Sequence, residues 1–256
     1  MSLIRKNING IRFIFLTTLI IGFTASYVFA KDTCVDCHSD EKFRVQSLKL
    51  YVYYNNWKDS IHDMEGVKCF NCHGGNPTKT DKDASHKENF SSLRANDKES
   101  LKAIPLRCGK CHKEIFKSFT VSKHYKALTD KVTGPNCVTC HDSMNTQVYR
   151  STNIAEGCGA CHNEKTKNKP EVVKTAESIL HDINVSTAYK GWVLTSFYDK
   201  ESREAEELNK RLKDIANSWH KFDFTGTGEK TAALLNDLKS TVKSGLAGRG
   251  TKKTDK

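Results

Sequence analysis

The chain has 256 residues, with 41 lysines and arginines against 30 aspartates and glutamates, which gives a formal charge of +11. Apolar residues, counted with glycine and without tyrosine, make up about 40% of the chain, below the roughly 45 to 50% of ordinary globular domains. This composition argues against a protein built around a large apolar core, and the ten cysteines and ten histidines are residues that can hold a metal or a large cofactor instead.

Residues 1–30 have the pattern of a targeting segment, because three basic residues precede an apolar run from Phe13 to Ala30. We predict a signal peptide that is cleaved after Ala30, so that the mature protein is periplasmic or otherwise exported. A retained anchor in the inner membrane is the alternative. The run of about 18 residues is at the short end for a membrane span, and several polar residues interrupt it.

Residues 31–169, the haem-attachment region, contain every cysteine, and the cysteines form five copies of the string Cys-x-x-Cys-His. Two thiols three positions apart lie on one side of a short helical turn, where they can add to the two vinyl groups of one haem. The adjacent histidine is then directed at the iron. We therefore predict five haems of c type. The predicted attachment residues are Cys34, Cys37, Cys69, Cys72, Cys108, Cys111, Cys137, Cys140, Cys158 and Cys161, and the motif histidines are His38, His73, His112, His141 and His162.

Other uses of paired cysteines explain the pattern less well. Zinc ribbons do not need a histidine after each second cysteine, and structural disulfides give no reason for five identical Cys-His steps. A thioredoxin-type redox motif accounts for one copy and not for five.

Residues 170–247, the C-terminal helical region, have no cysteine and show helical periodicity. Pro170 suits a first helical turn. Apolar stripes predict three long helices: one from Pro170, one over about 201–220, and one that begins after Gly226 and Gly228. Residues 248–256 are predicted to be a disordered basic tail. The predicted fold class is mainly α with few strands, a multihaem cytochrome c fold with a haem-packed N-terminal region.

Five histidines lie outside the motifs, and five irons with one axial ligand each need five more ligands. A serine precedes each of these spare histidines by one to three positions. We predict that they are the distal ligands, so that every haem has two histidine ligands. A surface histidine is the alternative for each, and methionine, as Met64 or Met144, is a less favoured ligand. The spare histidines are His62, His86, His124, His181 and His220.

The sequence restricts one pairing. If Cys111 to Tyr125 form a single helix, His112 and His124 are about 18 Å apart and cannot share an iron. His124 would then serve a different haem, and the helix would fix the separation of two neighbouring haems. A helix break near Thr120 would weaken this argument.

Some of these residues resemble a known group. The segment Trp57-Lys58-Asp59-Ser60-Ile61-His62, followed by Gly66-Val67-Lys68-Cys69 and by Cys72-His73-Gly74-Gly75, is similar to multihaem cytochromes of the cytochrome c554 and hydroxylamine oxidoreductase-like group. The segment from Phe119 to His124 is similar as well. The resemblance implies that serine-preceded histidines are distal ligands, here His62 and His124, and by weaker match the other three. The chain departs from that group in its number of haems.

An iron with two protein ligands has no position for substrate, so the predicted function is electron transfer by a periplasmic carrier that is not an enzyme. The expected partners are redox proteins, a quinol dehydrogenase or a terminal reductase. Nucleic acid is not expected, because the haem propionates offset much of the positive charge. Two alternatives are a reductase or oxidase of small nitrogen or sulfur compounds with one open haem, and a membrane-anchored quinol-oxidising cytochrome of the NapC and NirT type.

Overall fold

The structure is a computed structural model that describes residues 32–93, 97–146, 151–198 and 201–251. In these residues every regular element is an α-helix, which confirms the mainly α fold class, and the few predicted strands do not occur in this part of the chain. The predicted signal peptide lies outside the described residues. No helix among the described residues is both long enough and apolar enough to cross a membrane.

The haem-attachment region is a series of short helices joined by loops. Most of them start at an Asp, Ser or Asn whose side chain accepts a hydrogen bond from a backbone N–H of the first turn, as Asp81 does for Ala84 and Asp97 for Ser100. The helices are α1 (Thr33–His38), α2 (Glu41–Gln46), α3 (Leu48–Lys58), α4 (Ile61–Met64), α5 (Cys69–His73), α6 (Lys82–Ser85), α7 (Lys98–Cys108), α8 (Lys113–Thr120), α9 (Lys123–Lys131), α10 (Cys137–His141) and α11 (Ser151–Cys158).

The C-terminal helical region consists of three long helices, α12 (Val172–Ser196), α13 (Arg203–His220) and α14 (Phe224–Thr251). Their apolar stripes meet in one core, in which Val193, Ile215, Leu234 and Leu238 are fully buried. The region also contacts the haem-attachment region, because α12 packs on α11 and α13 packs on α8.

The third long helix differs from its prediction at both ends. It was predicted to begin after Gly226 and Gly228 and to be followed by a disordered tail from residue 248. It starts at Phe224, where the side chain of Asp223 accepts a hydrogen bond from the Gly226 N–H, so both glycines lie inside the helix. It continues to Thr251, so residues 248–251 are helical where disorder was predicted. Residues 252–256 lie outside the described part of the chain.

Candidate haem-binding sites

Each attachment motif forms one helical turn. Three motifs are complete short helices, α1, α5 and α10. The other two begin at the last residue of α7 and of α11, and there the turn continues because the histidine N–H donates to the carbonyl of the first cysteine, His112 to Cys108 at 2.9 Å and His162 to Cys158 at 2.8 Å. All five motifs therefore place both thiols on one turn, as attachment to a single haem requires.

In two motifs, a residue one or two positions before the first cysteine caps the motif helix. The Asp32 side chain accepts from the Cys34 N–H at 3.1 Å. Asn136 accepts from the Val138 N–H at 3.1 Å, while the Thr139 hydroxyl accepts from the Asn136 N–H at 3.0 Å, so the two residues cap each other. These caps fix where the turn begins, and with it the direction of the thiols.

The cysteines are free thiols, and none of the ten forms a disulfide. Within the described part of the chain, no cluster of three or more His, Cys, Asp or Glu side chains is arranged to hold a metal ion by itself.

Four motif histidines each face one spare histidine, and the distance between the two ring centres is nearly the same in all four pairs. Two imidazoles on opposite sides of one iron, each with an iron–nitrogen bond of about 2.0 Å, have ring centres about 6.3 Å apart. The ring centres of the paired histidines are 5.9 to 6.3 Å apart. The pairs are His38 with His86 (6.3 Å), His62 with His112 (6.2 Å), His141 with His220 (6.1 Å) and His124 with His162 (5.9 Å).

Hydrogen bonds prepare several of these rings to bind iron through Nε2. Nδ1 lies 2.9 Å from the Asn168 carbonyl in His162, 2.7 Å from the Lys82 carbonyl in His86, and 2.7 Å from the Ala216 carbonyl in His220. A carbonyl can only accept, so it fixes the proton on Nδ1 and leaves the Nε2 lone pair for a metal.

Burial keeps five of the eight paired rings in the neutral form that binds metals. It lowers the pKa of His141 to about 4, with the neighbouring His220 and His112 adding to the effect. Burial is also the main cause of the lowered pKa of His38, His62, His124 and His220. These rings are therefore uncharged at neutral pH and need not lose a proton to bind iron.

The serines that precede two of the spare histidines have a structural role. Ser60 is the N-cap of α4 and accepts from the Asp63 N–H, and Ser122 is the N-cap of α9 and accepts from the Tyr125 N–H. Both serines are buried. Each cap holds the first turn of a helix whose second residue is the histidine, His62 or His124, and so directs that ring.

Ser122 also interrupts the helical structure between Cys111 and Tyr125, at the break near Thr120 that would weaken the argument from a single helix. The chain forms α8 up to Thr120 and starts again at Lys123. The single-helix premise is therefore wrong. His124 nevertheless faces His162 and lies in a different pair from His112.

Consecutive motifs lie next to one another in space. In the haem-attachment region α1 contacts α5, α7 contacts α10, and α10 contacts α11. The thiols follow the same order: burial raises the pKa of Cys34, Cys72 and Cys140, and a nearby thiol of the neighbouring motif, Cys69, Cys108 and Cys158 respectively, adds to the effect. The five attachment sites thus form a continuous series in chain order.

The four pairs leave out one motif histidine, His73, and one spare histidine, His181. The structure does not bring these two together. Among the described residues, the ring in contact with His73 is that of Phe90, whose centre is 6.4 Å away. His181 is exposed on α12, a helix that packs on α11, α13 and α14. The prediction that His181 is a distal ligand therefore has no support from this geometry.

Phenylalanines beside the paired histidines were not predicted. Phe222 contacts His124 with ring centres 4.0 Å apart, Phe43 stacks on His38 at 5.0 Å, and Phe90 contacts His86 at 4.6 Å. Phe43 and Phe90 follow their histidines by five and four positions, which is a local signal. Phe222 is far from His124 in sequence, so no local pattern indicates that contact.

Residues 93–163 match the family described as cytochrome c7 and related cytochrome c. This segment contains three attachment motifs and His124. The match supports a multihaem c-type cytochrome that transfers electrons, and it does not favour the cytochrome c554 and hydroxylamine oxidoreductase-like group in particular. Neither curated proteins nor solved structures give a significant match to the chain.

Proposed function

We propose that this protein is an exported electron carrier that binds five haems of c type. The observation that carries the proposal is the set of four histidine pairs, each of which joins one motif histidine to one spare histidine at 5.9 to 6.3 Å. If the contacts between histidines arose by chance, some pairs would be expected to join two motif histidines or two spare histidines, and none does. The separation also fits one iron between the rings.

The donor set fits haem. Each motif offers two thiols and one imidazole, and four motifs have a second imidazole opposite the first. The haem would supply an iron that cycles between the ferric and ferrous states. The thiols of the chain would anchor the haem and the two rings would hold its iron, while the hydrogen bonds to Nδ1 keep the rings in one orientation.

The spare histidines also tie the sites to one another. His86 follows the second motif and faces the histidine of the first, while His62 precedes the second motif and faces the histidine of the third. Each connecting segment therefore holds two neighbouring sites at a fixed distance. A fixed series of adjacent sites is the arrangement that electron transfer along a chain of haems needs.

The exported location and the partners are part of the same proposal. The basic and apolar pattern of residues 1–30 supports export, since covalent haem attachment and a signal peptide both suit an exported cytochrome. The proposed partner is a redox protein, a quinol dehydrogenase or a terminal reductase, which would exchange single electrons with the haems.

The test is a haem count. Co-expressed with a c-type haem maturation system, the protein should carry five covalent haems by intact mass and by the pyridine haemochrome spectrum. The double variant Cys137→Ala, Cys140→Ala should carry four, while Val138→Ala, a change within the same motif that spares the thiols, should carry five. Fewer than five haems in the parent, or zinc in place of haem, would overturn the proposal.

A further inference from the structure

The second attachment motif differs from the other four. Its histidine, His73, has Nδ1 2.9 Å from the Ser91 carbonyl, so Nε2 is free to bind iron, as it is in His162. The ring that contacts His73 is Phe90, at 6.4 Å, close to the 5.9 to 6.3 Å that separates the members of the four histidine pairs. Phenylalanine has no atom that binds iron.

Two glycines bring Phe90 to this position. Gly74 and Gly75 have φ values of +72° and +83°, which side chains disfavour. A Cβ at Gly74 would lie 2.3 Å from the Asn89 carbonyl oxygen, and a Cβ at Gly75 would lie 2.5 Å from the Ser85 carbonyl oxygen. The glycines therefore let residues 85–91 pack directly against the end of α5.

Backbone hydrogen bonds hold the same segment in place. The Ser91 N–H donates to the His73 carbonyl at 2.8 Å, and the Gly75 N–H donates to the Glu88 carbonyl at 2.8 Å. Together with the bond from His73 Nδ1 to Ser91, they link both sides of Phe90 to the second motif. The backbone thus places residue 90 beside the second motif.

The remaining spare histidine belongs to another part of the molecule. His181 is exposed, whereas the neighbouring Ile179 and Leu180 on the same helix are buried. The helix α12 packs on the last motif helix and on the other two long helices, and α5 packs on α1. The described geometry gives no contact between His181 and the second motif.

We propose that the haem attached at Cys69, Cys72 and His73 has no protein ligand on its second axial side, and that Phe90 borders an exchangeable site for small iron ligands. The class of ligand is a diatomic π-acceptor or a small anion such as carbon monoxide, nitric oxide, cyanide or nitrite. This inference rests on the proposed attachment of five haems.

The test uses the haem-loaded protein after its five haems have been counted, so that a failed haem count is kept separate from a failed inference. The dithionite-reduced parent should bind carbon monoxide at one haem per chain, and the ferric parent should bind cyanide at one haem, seen as loss of a single high-spin signal. Five haems without such binding would overturn the inference and leave the proposed function intact.

Two substitutions identify the site. Phe90→His should supply a sixth ligand, convert the high-spin haem to low-spin and reduce carbon monoxide binding from about one per chain to about none. The matched control Phe43→His places a histidine beside His38, which already faces His86, and should leave the binding unchanged. Since Phe90 is 39% exposed, its replacement should not prevent folding.

His181→Ala tests the competing assignment. The variant should bind carbon monoxide at one haem, as the parent does. A second carbon monoxide site in His181→Ala, or a parent that is fully low-spin and gains its first site in this variant, would show that His181 is an iron ligand and would overturn the inference.

Discussion

In the C-terminal helical region, Ile215, Leu234 and Leu238 are at most 1% exposed, whereas in the haem-attachment region Val45 and Met64 are 89% and 71% exposed. The first region buries its apolar stripes between three long helices. The second has helices of at most 11 residues, and isolated helices of this length are marginal in water. A region of short helices with exposed apolar side chains needs another partner for burial, and five porphyrins would supply it.

If haem supplies the missing burial, the haem-attachment region should be unstable without it. In the full chain produced without haem attachment, we expect residues 32–169 to be cleaved by protease at least about tenfold faster than in the haem-loaded protein, because the proposed haems would supply much of their folding free energy. Limited proteolysis followed by mass spectrometry measures this. Residues 172–246 serve as the internal control and should keep their protection. Equal protection of both regions in the haem-free chain would contradict the comparison.

The C-terminal core should respond as an ordinary apolar core does. Leu234→Ala removes a fully buried side chain and should lower the free energy of unfolding of these helices by about 2 to 5 kcal/mol, with the haem spectrum unchanged. Leu246→Ala, on the same helix but 49% exposed, is the matched control and should cost less than about 0.5 kcal/mol. Thermal unfolding followed by circular dichroism measures both. Similar losses in the two variants would show that this region lacks a conventional core.

His220 connects the two regions, because it lies on α13 and faces the motif histidine His141. His220→Ala should convert one low-spin haem to high-spin and leave the other haems unchanged, since it removes one axial ligand. Ferric electron paramagnetic resonance measures the change, and His181→Ala is the control that should give the parent spectrum. If His220→Ala also matched the parent, His220 would be a helix residue without an iron.

The smallest effect should come from an ion pair between the regions. Lys213 on α13 and Glu114 on α8 are 2.9 Å apart, and each side chain is 59% exposed. Glu114→Gln should lower the free energy of unfolding by less than about 1 kcal/mol, and 0.5 M salt should reduce the difference from the parent, because exposed ion pairs are weak and screened. A larger loss that salt does not reduce would mean that the contact between the regions depends on this pair.

Local patterns predicted much of the fold. The second long helix was predicted over 201–220 and spans Arg203–His220, and the first was predicted from Pro170 and begins at Val172. Apolar periodicity gives these elements because each stripe packs on the same core. The start of α14 could not be read from its glycines, because Asp223 caps the helix before them.

The candidate sites were only partly predictable. The spacing of each motif fixes a local turn, so the attachment residues follow from sequence. The pairing of histidines depends on contacts between residues that are far apart in the chain, such as His141 with His220, and no local pattern contains it. His181 was assigned to a haem because ten histidines match the ligands that five irons need. That number contains no information about the position of α12, the helix on which His181 lies.

Spin quantitation of the ferric, haem-loaded protein by electron paramagnetic resonance and magnetic circular dichroism is the decisive experiment for the four histidine pairs. If the pairs at 5.9 to 6.3 Å hold four irons, each chain should contain four low-spin haems with two histidine ligands. Fewer than four low-spin haems would mean that at least one of the pairs does not hold an iron.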